Sequence, residues 1–214
     1  MASRPAQALG RVRQRNGKRP ARAPAQDSTR ERILSAAARL FAEQGFAGSS
    51  MPAIAEASGI TAGAIYRHFE SKAELLFEVV KRALLALPLA GTNGSGDVAM
   101  LPLLCASYTD PALKMLRQLS LEVHSAASRD RDVNRILTRY DEAATRKICD
   151  SIEAAQRAQK LDPELNADFT ARALTSFIMG LNHMDTLHPH LVGNPAWREF
   201  VAQRVAALIG LRPR

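Results

Sequence analysis

The sequence predicts an all-α protein with an N-terminal three-helix domain of the helix-turn-helix type and a C-terminal helical bundle, about nine helices in total. Apolar residues recur at three- and four-residue spacing through most of the 214 residues, which is the period of one helix face. Capping residues and glycines mark where these segments begin and end. No segment shows the alternation of apolar and polar residues that is typical of a strand.

The first predicted helix begins at Ser28 and ends at Gly45. Ser28 and Glu31 have the spacing of a capping box, in which each side chain bonds a backbone N–H of the first turn. Glycine favours a helix end because it adopts the left-handed conformation without strain. The inward stripe of this helix is Ile33, Leu34, Ala37, Leu40 and Phe41.

The segment SSMPAIAEASGITAGAIYRHFESK, residues 49–72, predicts two short helices joined by a tight turn. Pro52 suits the first turn of a helix, where a missing N–H is harmless. Gly59 ends that helix, and Thr61 is a good N-cap for the next one, which we expect to run to about Phe69. This is the arrangement of a helix-turn-helix DNA reader.

The second short helix has two distinct faces. Ile65 and Phe69 are four residues apart and point inward, whereas the opposite side holds Ala62, Gly63, Tyr66 and Arg67. A helix with little bulk at its start can approach base edges in the major groove, and the tyrosine, the arginine and His68 can donate hydrogen bonds to phosphates. An ordinary helical hairpin remains the alternative on periodicity alone.

The third helix of this domain is predicted to start after Ser71 and to end before Pro88. Ser71 and Glu74 repeat the capping-box spacing. A proline disfavours helical backbone in the residue before it, so Pro88 marks a boundary. The buried side of this helix consists of Leu75, Leu76, Val79 and Val80.

Five elements stand in order in this region: TRERILSAAARLFAEQGF, a serine-rich entry, IAEASGIT, GAIYRHF and SKAELL. With these elements, the stretch from Thr29 to about Val80 closely resembles the DNA-binding domain of the TetR family of one-component bacterial repressors. The resemblance implies that Ser49 and Ser50 contact phosphate and that Tyr66 and His68 grip the DNA backbone. Lys72 matches the family's phosphate-binding lysine, and a helix N-terminus is itself an anion site.

The predicted DNA-binding residues are Ser49, Ser50, Thr61, Ala62, Gly63, Tyr66, Arg67, His68 and Lys72. Ala62 and Ala64 depart from the family pattern, since many relatives have a lysine or arginine and a threonine there. Base reading is therefore expected to use fewer polar side chains, and the operator sequence does not follow. For Ser50 and Thr61, helix capping alone is an alternative explanation.

Residues 1–27 are predicted to form a disordered basic arm. Residues 1–26 contain seven arginines and lysines and no acid, so they carry nearly all of the formal net charge of +8. Few apolar residues and three prolines favour disorder. Such an arm can lie along phosphates or enter a minor groove, which would make DNA affinity depend steeply on salt. A solvated leader without a role is the alternative, and a transit peptide is disfavoured by the scarcity of serine.

Composition and motifs exclude several other classes of protein. No apolar run approaches the roughly 20 residues that span a bilayer, so we expect no membrane partner. The resemblance implies a cytoplasmic, nucleoid-associated bacterial protein. Cys105 and Cys149 form no CxxC pattern, which argues against a disulfide framework or a zinc site. The histidines of NHMDTLHPH lack clean metal-ligand spacing. No catalytic or nucleotide-binding motif occurs, and no cofactor is expected.

The glycine-rich segment AGTNGSG, residues 90–96, reads as a flexible link. It divides a helix-turn-helix domain over residues 28–88 from a helical ligand-binding and dimerisation domain over residues 97–214. Helices of the second domain are predicted from Asp110 and Pro111 to about Ala127, from near Asp132 to Gln159, from Ala167, after the Asn166 cap, to Leu187, and from Ala196 to Ile209.

The last two long helices have apolar stripes suited to packing against other helices. TetR-like proteins dimerise through these helices, so the resemblance implies a homodimer. The predicted interface is Leu174, Phe177, Leu181, Phe200, Val201, Val205 and Leu208. Burial in the core of one subunit is the alternative explanation for part of each stripe.

The resemblance also implies a small-molecule effector held among the C-terminal helices. The predicted lining is Leu104, Leu116, Leu119, His124, Tyr140, Phe177 and Met184, with ordinary core packing as the alternative for each. The sequence thus predicts a repressor that a small molecule releases from a near-palindromic operator on double-stranded DNA. A sequence-tolerant DNA-packaging protein is the second possibility, and an enzyme that borrowed the fold is a distant third.

Overall fold

The computed structural model describes residues 24–85 and 97–211. Within those residues the regular structure is entirely helical. The α-helices are α1 (Pro24–Gly48), α2 (Met51–Ala57), α3 (Ala62–Ile65), α4 (Lys72–Leu85), α5 (Leu101–Ser107), α6 (Lys114–Ala127), α7 (Arg131–Arg157), α8 (Ala167–Asn182), α9 (Met184–Leu187) and α10 (Pro195–Leu208). This confirms the predicted all-α class with an N-terminal helix-turn-helix unit.

Two hydrophobic cores organise the fold. The first is built by α1 to α4 and is completed by Leu119 and Val123 of α6 and Val133 of α7. Its least exposed members include Ile33, Ile54, Ile65, Leu75 and Leu76, each 0% exposed. The N-terminal helices therefore do not close their core alone, although the predicted domain ends at residue 88. The predicted link over residues 90–96 lies outside the described residues.

The second core joins α5, α7, α8 and α10. Cys105, Ile152, Leu174 and Val201 are fully buried in it, and Leu116 of α6 belongs to it as well. Helix α6 thus packs its successive apolar positions into both cores. Because core side chains are close-packed, a shift of α6 affects both at once.

Local capping signals located most helix starts correctly. Asn166 caps α8 by accepting a hydrogen bond from the N–H of Phe169, at 2.9 Å. Asp110 and Pro111 do begin a helical segment, although its first turn, Pro111–Leu113, is a 3₁₀ turn before α6. Thr61 caps α3 as predicted.

Other predicted boundaries were wrong. Helix α1 begins at Pro24, so residues 24–27 are helical rather than part of a disordered arm, and Ser28 lies inside the helix rather than at its cap. Helix α7, by contrast, begins at Arg131, within one residue of the predicted start, and its cap is Asp130. Helix α3 ends at Ile65 and continues to Phe69 only as hydrogen-bonded turns.

The C-terminal helices also differ from the prediction in two places. Helix α5 was not predicted, because its seven residues are too short to show a clear period. The helix predicted from Ala167 to Leu187 is divided at His183 into α8 and α9.

A buried ion pair fixes the start of α6. Arg117 is 0% exposed, and its Nε and Nη2 donate to the two carboxylate oxygens of Asp185 at 2.6 and 3.0 Å. Its Nη1 donates to the carbonyls of Tyr108 and Asp110 at 2.6 and 2.8 Å. The guanidinium lowers the pKa of Asp185, against the opposing effect of burial. The pair therefore holds α6, α9 and the α5–α6 connection together at neutral pH.

Gly59 and Gly63 provide a matched test of the turn between α2 and α3. Gly59 has φ +67°, which L-residues adopt only with strain, whereas a Cβ on Gly63 would meet no atom within 4 Å. We expect Gly59→Ala to destabilise the protein by about 1–2 kcal/mol. We expect Gly63→Ala to be neutral or stabilising by up to about 0.5 kcal/mol. Urea unfolding of both variants measures this, and equal stabilities would contradict it.

Candidate nucleic-acid interface and internal cavity

Backbone geometry fixes the angle between α2 and α3. Ser50 caps α2, since its Oγ accepts from the N–H of Ala53 at 3.2 Å. At the other end, the N–H of Gly59 donates to Glu56 O at 2.9 Å and that of Ile60 to Ala55 O at 3.0 Å. These two bonds form a Schellman motif, which requires the left-handed glycine.

Helix α3 presents one buried and one exposed face, as predicted. Ile65 and Phe69 are 0% and 1% exposed and belong to the first core. Tyr66 is 53% exposed, and Thr61, Ala62, Gly63 and Arg67 are exposed beside it, while His68 is half-buried. The exposed face is small at the start of the helix and aromatic and basic towards its end. This shape suits insertion into a major groove.

Ser49 does not belong to this exposed surface, contrary to prediction. It is 3% exposed, and its Oγ donates to the carbonyl of Gly45 at 2.8 Å. This hydrogen bond spans the bend that leads from α1 into α2, which begins at Gly45 (φ +75°) in the last turns of α1. The hydroxyl is therefore not free to bind phosphate. Ser50, by contrast, is exposed and its hydroxyl proton remains available.

Lys72 is half-buried and holds the same bend. Its Nζ donates to the carbonyls of Phe46 and Ser49 at 2.7 and 2.9 Å and lies 4.1 Å from the centroid of the Phe46 ring. Burial lowers its pKa, and Asp130 partly opposes this. An ammonium has three N–H donors, so one remains for a phosphate oxygen. The lysine therefore positions the loop before α2 as well as standing at the start of α4.

Two arginines of α1, which the sequence analysis did not single out, hold the segment that contains α2 and α3 against α1. We call this segment, residues 50–69, the reading unit. Arg32 donates from Nε and Nη2 to the carbonyl of Ser58 at 3.1 and 2.6 Å, and from Nη2 to that of Gly59 at 3.1 Å. Arg30 bonds Glu78 at 2.6 Å, with its guanidinium 5.1 Å from the centroid of the Phe69 ring. These partners lie 26 to 48 residues away in sequence, so no local pattern reveals them.

A carboxylate from α6 reaches the bend before this unit as well. The backbone N–H of Phe46 donates to Oε1 of Glu122 at 2.5 Å. A Cβ on Gly45 would lie 3.2 Å from the same oxygen. The bend between α1 and α2 is thus held by Lys72 on one side and by α6 on the other.

A cavity of about 440 Å³ lies between α4, α5, α6, α7 and α8. Of the seven predicted lining residues, Leu104, His124 and Tyr140 do line it. Leu116, Leu119 and Met184 are not among the lining residues and lie within the two cores. Phe177 packs against the second core rather than into the cavity. The prediction was wrong for these four residues.

The cavity wall is mainly apolar, with polar groups at a few places. The apolar part includes Phe77, Val80, Leu84, Leu137, Ile148 and Ile178. The polar groups include Tyr108, Ser120, Thr175 and Asn182, and the charged residues Lys81, Asp141 and Lys147 are all exposed. An apolar concave wall with a few polar groups is typical of small-molecule sites.

The predicted dimer residues divide into two groups. Leu174, Leu181, Val201 and Val205 are at most 4% exposed within the core of a single chain, so they are not available to a partner and the prediction was wrong for them. Phe200 and Leu208 are 47% and 38% exposed, and Phe177 is half-buried. The sequence missed Phe169, the most exposed large apolar residue of α8, at 69%.

Within residues 24–85 and 97–211, no three or more His, Cys, Asp or Glu side chains are arranged to hold a metal ion. The rings of His188 and His190 pack edge-on at 6.3 Å. None of the helices in this described part has both the length and the apolar character that crossing a bilayer requires.

Comparison with known proteins supports the nucleic-acid interpretation. The sequence model of the bacterial regulatory proteins of the tetR family matches residues 33–79. The HTH-type transcriptional regulator UidR of Escherichia coli (strain K12) is 30% identical over 159 residues, covering 72% of this chain and 79% of UidR. These relatives are transcriptional regulators, not enzymes.

Solved structures share the fold over most of the chain. Salmonella enterica GusR superposes with a TM-score of 0.67 at 26% identity, covering 85% of this chain and 95% of GusR. NalD of Pseudomonas aeruginosa, described as the secondary repressor of the MexAB-OprM multidrug efflux pump, gives a TM-score of 0.65 at 23% identity, with 86% and 95% coverage.

Lys72 and Lys81 stand on the same helix. Substituting each one tests whether the half-buried ammonium of Lys72 stabilises the fold. We expect Lys72→Met to destabilise the protein by about 2 kcal/mol, because two charge-assisted hydrogen bonds are lost. Lys81 is 57% exposed and bonds only Glu78 in the same helix, so Lys81→Met is expected to cost less than about 0.5 kcal/mol. Denaturant unfolding compares the two, and a cost at Lys72 no larger than at Lys81 would disprove the assigned role.

Proposed function

This chain belongs to the TetR family of helix-turn-helix transcriptional regulators, and from that premise we propose that it represses genes by binding a near-palindromic operator as a homodimer. A small molecule bound in the internal cavity releases it from the DNA. The observation that carries the proposal is the exposed face of α3, held in place by Ile65 and Phe69 beneath it. NalD, which shares the fold, is a repressor, and this favours repression over activation.

The DNA contacts follow from the geometry of α3. Ala62 and Gly63 allow the start of the helix to approach base edges closely, and Tyr66 and Arg67 extend from its other end towards phosphates. Ser50 and the free N–H of Lys72 add phosphate contacts from the flanking helix starts. Such contacts position the protein, so specificity rests on close packing against base edges and on DNA shape.

A dimer supplies the second reading helix. Two such helices must meet successive major grooves about 34–36 Å apart. The proposed interface is the outer side of α8 and α10, with Phe169, Phe177 and Gly180 from α8 and Phe200 and Leu208 from α10. A Cβ on Gly180 would meet no atom within 4 Å, so a partner helix can approach closely there.

The coupling between cavity and operator runs through α6. Ser120, Val123 and His124 of α6 line the cavity, and Glu122 of the same helix holds the N–H of Phe46. A ligand that moves α6 therefore moves the bend before α2, and with it the reading helix. Binding coupled in this way is reciprocal, since operator DNA must weaken ligand binding by the same factor.

A sequence-tolerant DNA-packaging role is the second function that the sequence allowed. UidR, a transcriptional regulator, and NalD, a repressor, do not favour it. The two functions differ in a measurable way, because a packaging protein binds random and selected DNA with equal affinity.

The reading face is tested by selecting bound fragments from the source genome, beginning with the region beside the protein's own gene. We expect the Tyr66→Ala, Arg67→Ala double variant to weaken binding of the selected fragment by about 2 kcal/mol, or roughly thirtyfold. Arg146→Ala, which removes an exposed arginine from α7, is the control and should bind as wild type does. Unchanged affinity in the double variant, or equal affinity of wild type for random DNA, would refute the proposal.

The dimer is tested by light scattering at micromolar concentration. Wild type is expected at twice the mass of the chain. Phe200→Glu places a charge in the proposed interface and should shift the mass towards that of a monomer. Met115→Glu alters a similarly exposed apolar residue, 49% exposed on α6, and should remain dimeric. A monomeric wild type, or dissociation of both variants alike, would count against this interface.

A further inference from the structure

Among the described residues that line the cavity, one has buried polar side-chain atoms without a hydrogen-bond partner. Asn182, in the last turn of α8, lines the cavity and is 1% exposed. Neither its Oδ1 nor its Nδ2 finds a partner among the described residues. Two other buried groups share this condition within the same part of the chain, the Thr145 hydroxyl and the Trp197 indole N–H, and neither lines the cavity.

An unpaired buried amide is destabilising, because it has given up hydrogen bonds to water and gained none in exchange. Asn182 offers one acceptor oxygen and two donor hydrogens side by side. A ligand group that supplies one donor and one acceptor satisfies both atoms at once. Asn182 belongs to the cavity lining, but its amide atoms expose almost no surface, so a ligand pairs with them once the side chain turns into the cavity.

The more buried titratable side chains of the cavity wall are uncharged, and its charged side chains are exposed to solvent. Burial raises the pKa of the Tyr108 phenol, and nearby Cys105 and Tyr140 raise it further. Burial lowers the pKa of His124, although Asp141 opposes this. Both side chains are therefore uncharged at neutral pH. The charged residues of the lining, Lys81, Asp141 and Lys147, are exposed to solvent.

We infer that the effector is an uncharged, mainly apolar molecule that presents a donor and an acceptor together, as a carboxamide or lactam does, to the side chain of Asn182. This inference rests on the proposed function, in which the cavity is the effector site. A carboxylate has only acceptors when ionised, so it would leave Oδ1 of Asn182 unpaired. A site built from unpaired polar groups rejects analogues that cannot pair with them.

Three probes of nearly the same shape test this chemistry: 2-naphthamide, 2-acetonaphthone and 2-naphthoate. The amide has a donor and an acceptor, the ketone has only an acceptor, and the acid is charged. We expect wild type to bind the amide about tenfold more tightly than either of the others in calorimetric titration, since one satisfied buried donor–acceptor pair supports a difference of this size. Equal affinities, or no binding of any probe, would overturn the inference.

Asn182→Leu and Thr145→Val form a matched pair of variants. Each replaces a buried, unpaired polar group by an apolar one of similar size, so each is expected to raise the melting temperature of the free protein. Only Asn182→Leu should abolish the preference for 2-naphthamide. A lower melting temperature for Asn182→Leu would show that the amide is paired in the fold, and a preference that survives this substitution would exclude Asn182 as the recognising group.

A measurement on wild type covers the case in which Asn182→Leu does not fold. The side-chain NH₂ resonance of Asn182 should shift on adding 2-naphthamide, and the absence of any shift with the amide would overturn the inference. The proposed function fails separately, if no genomic fragment is selected. Preference for the amide without operator binding refutes the function only, and operator binding without the preference refutes only the ligand class.

Discussion

The packing of α6 is the constraint on which the rest of the molecule depends. Leu119 and Val123 complete the core of the helix-turn-helix unit, while Leu116 belongs to the second core. Ser120 and His124 of the same helix line the cavity. A single helix therefore borders both the helix-turn-helix unit and the cavity. Because close-packed interiors move between discrete arrangements rather than deforming gradually, a displacement of this helix passes from one site to the other.

Polar contacts fix α6 at two points along its length. The buried guanidinium of Arg117 holds its start to α9 and to the turn after α5. Further along, the carboxylate of Glu122 holds the bend between α1 and α2. Removing one partner of a buried ion pair leaves an uncompensated charge, so the first point is the stronger anchor. The second point is the direct link to the DNA-reading unit.

The helix-turn-helix unit separates the exposed side chains that we propose to face DNA from those that support it. Tyr66 and Arg67 are exposed. Arg30 instead holds Glu78 of α4 and the Phe69 ring, and Arg32 holds the end of α2, against α1. Lys72 serves both purposes, with two N–H groups bound to carbonyls and one remaining. The short helix α3 has few hydrogen bonds of its own, so its orientation depends on these surrounding contacts.

The sequence by itself determined the helical class, the reading unit and most helix starts. The caps at Ser50, Thr61 and Asn166 bond N–H groups three residues away, and the φ of Gly59 is a property of one residue, so local patterns contain these features. Tertiary structure decided which members of each apolar stripe face the cavity, a partner or the core. Leu119 and His124 are close neighbours on α6, yet the first is buried in a core and the second lines the cavity. It also decided that Ser49 is buried and that Asn182 has no hydrogen-bond partner within the described part of the chain. The physical reason is that burial and hydrogen bonding at these positions depend on helices far away in sequence, and helical periodicity specifies a face without specifying what covers it.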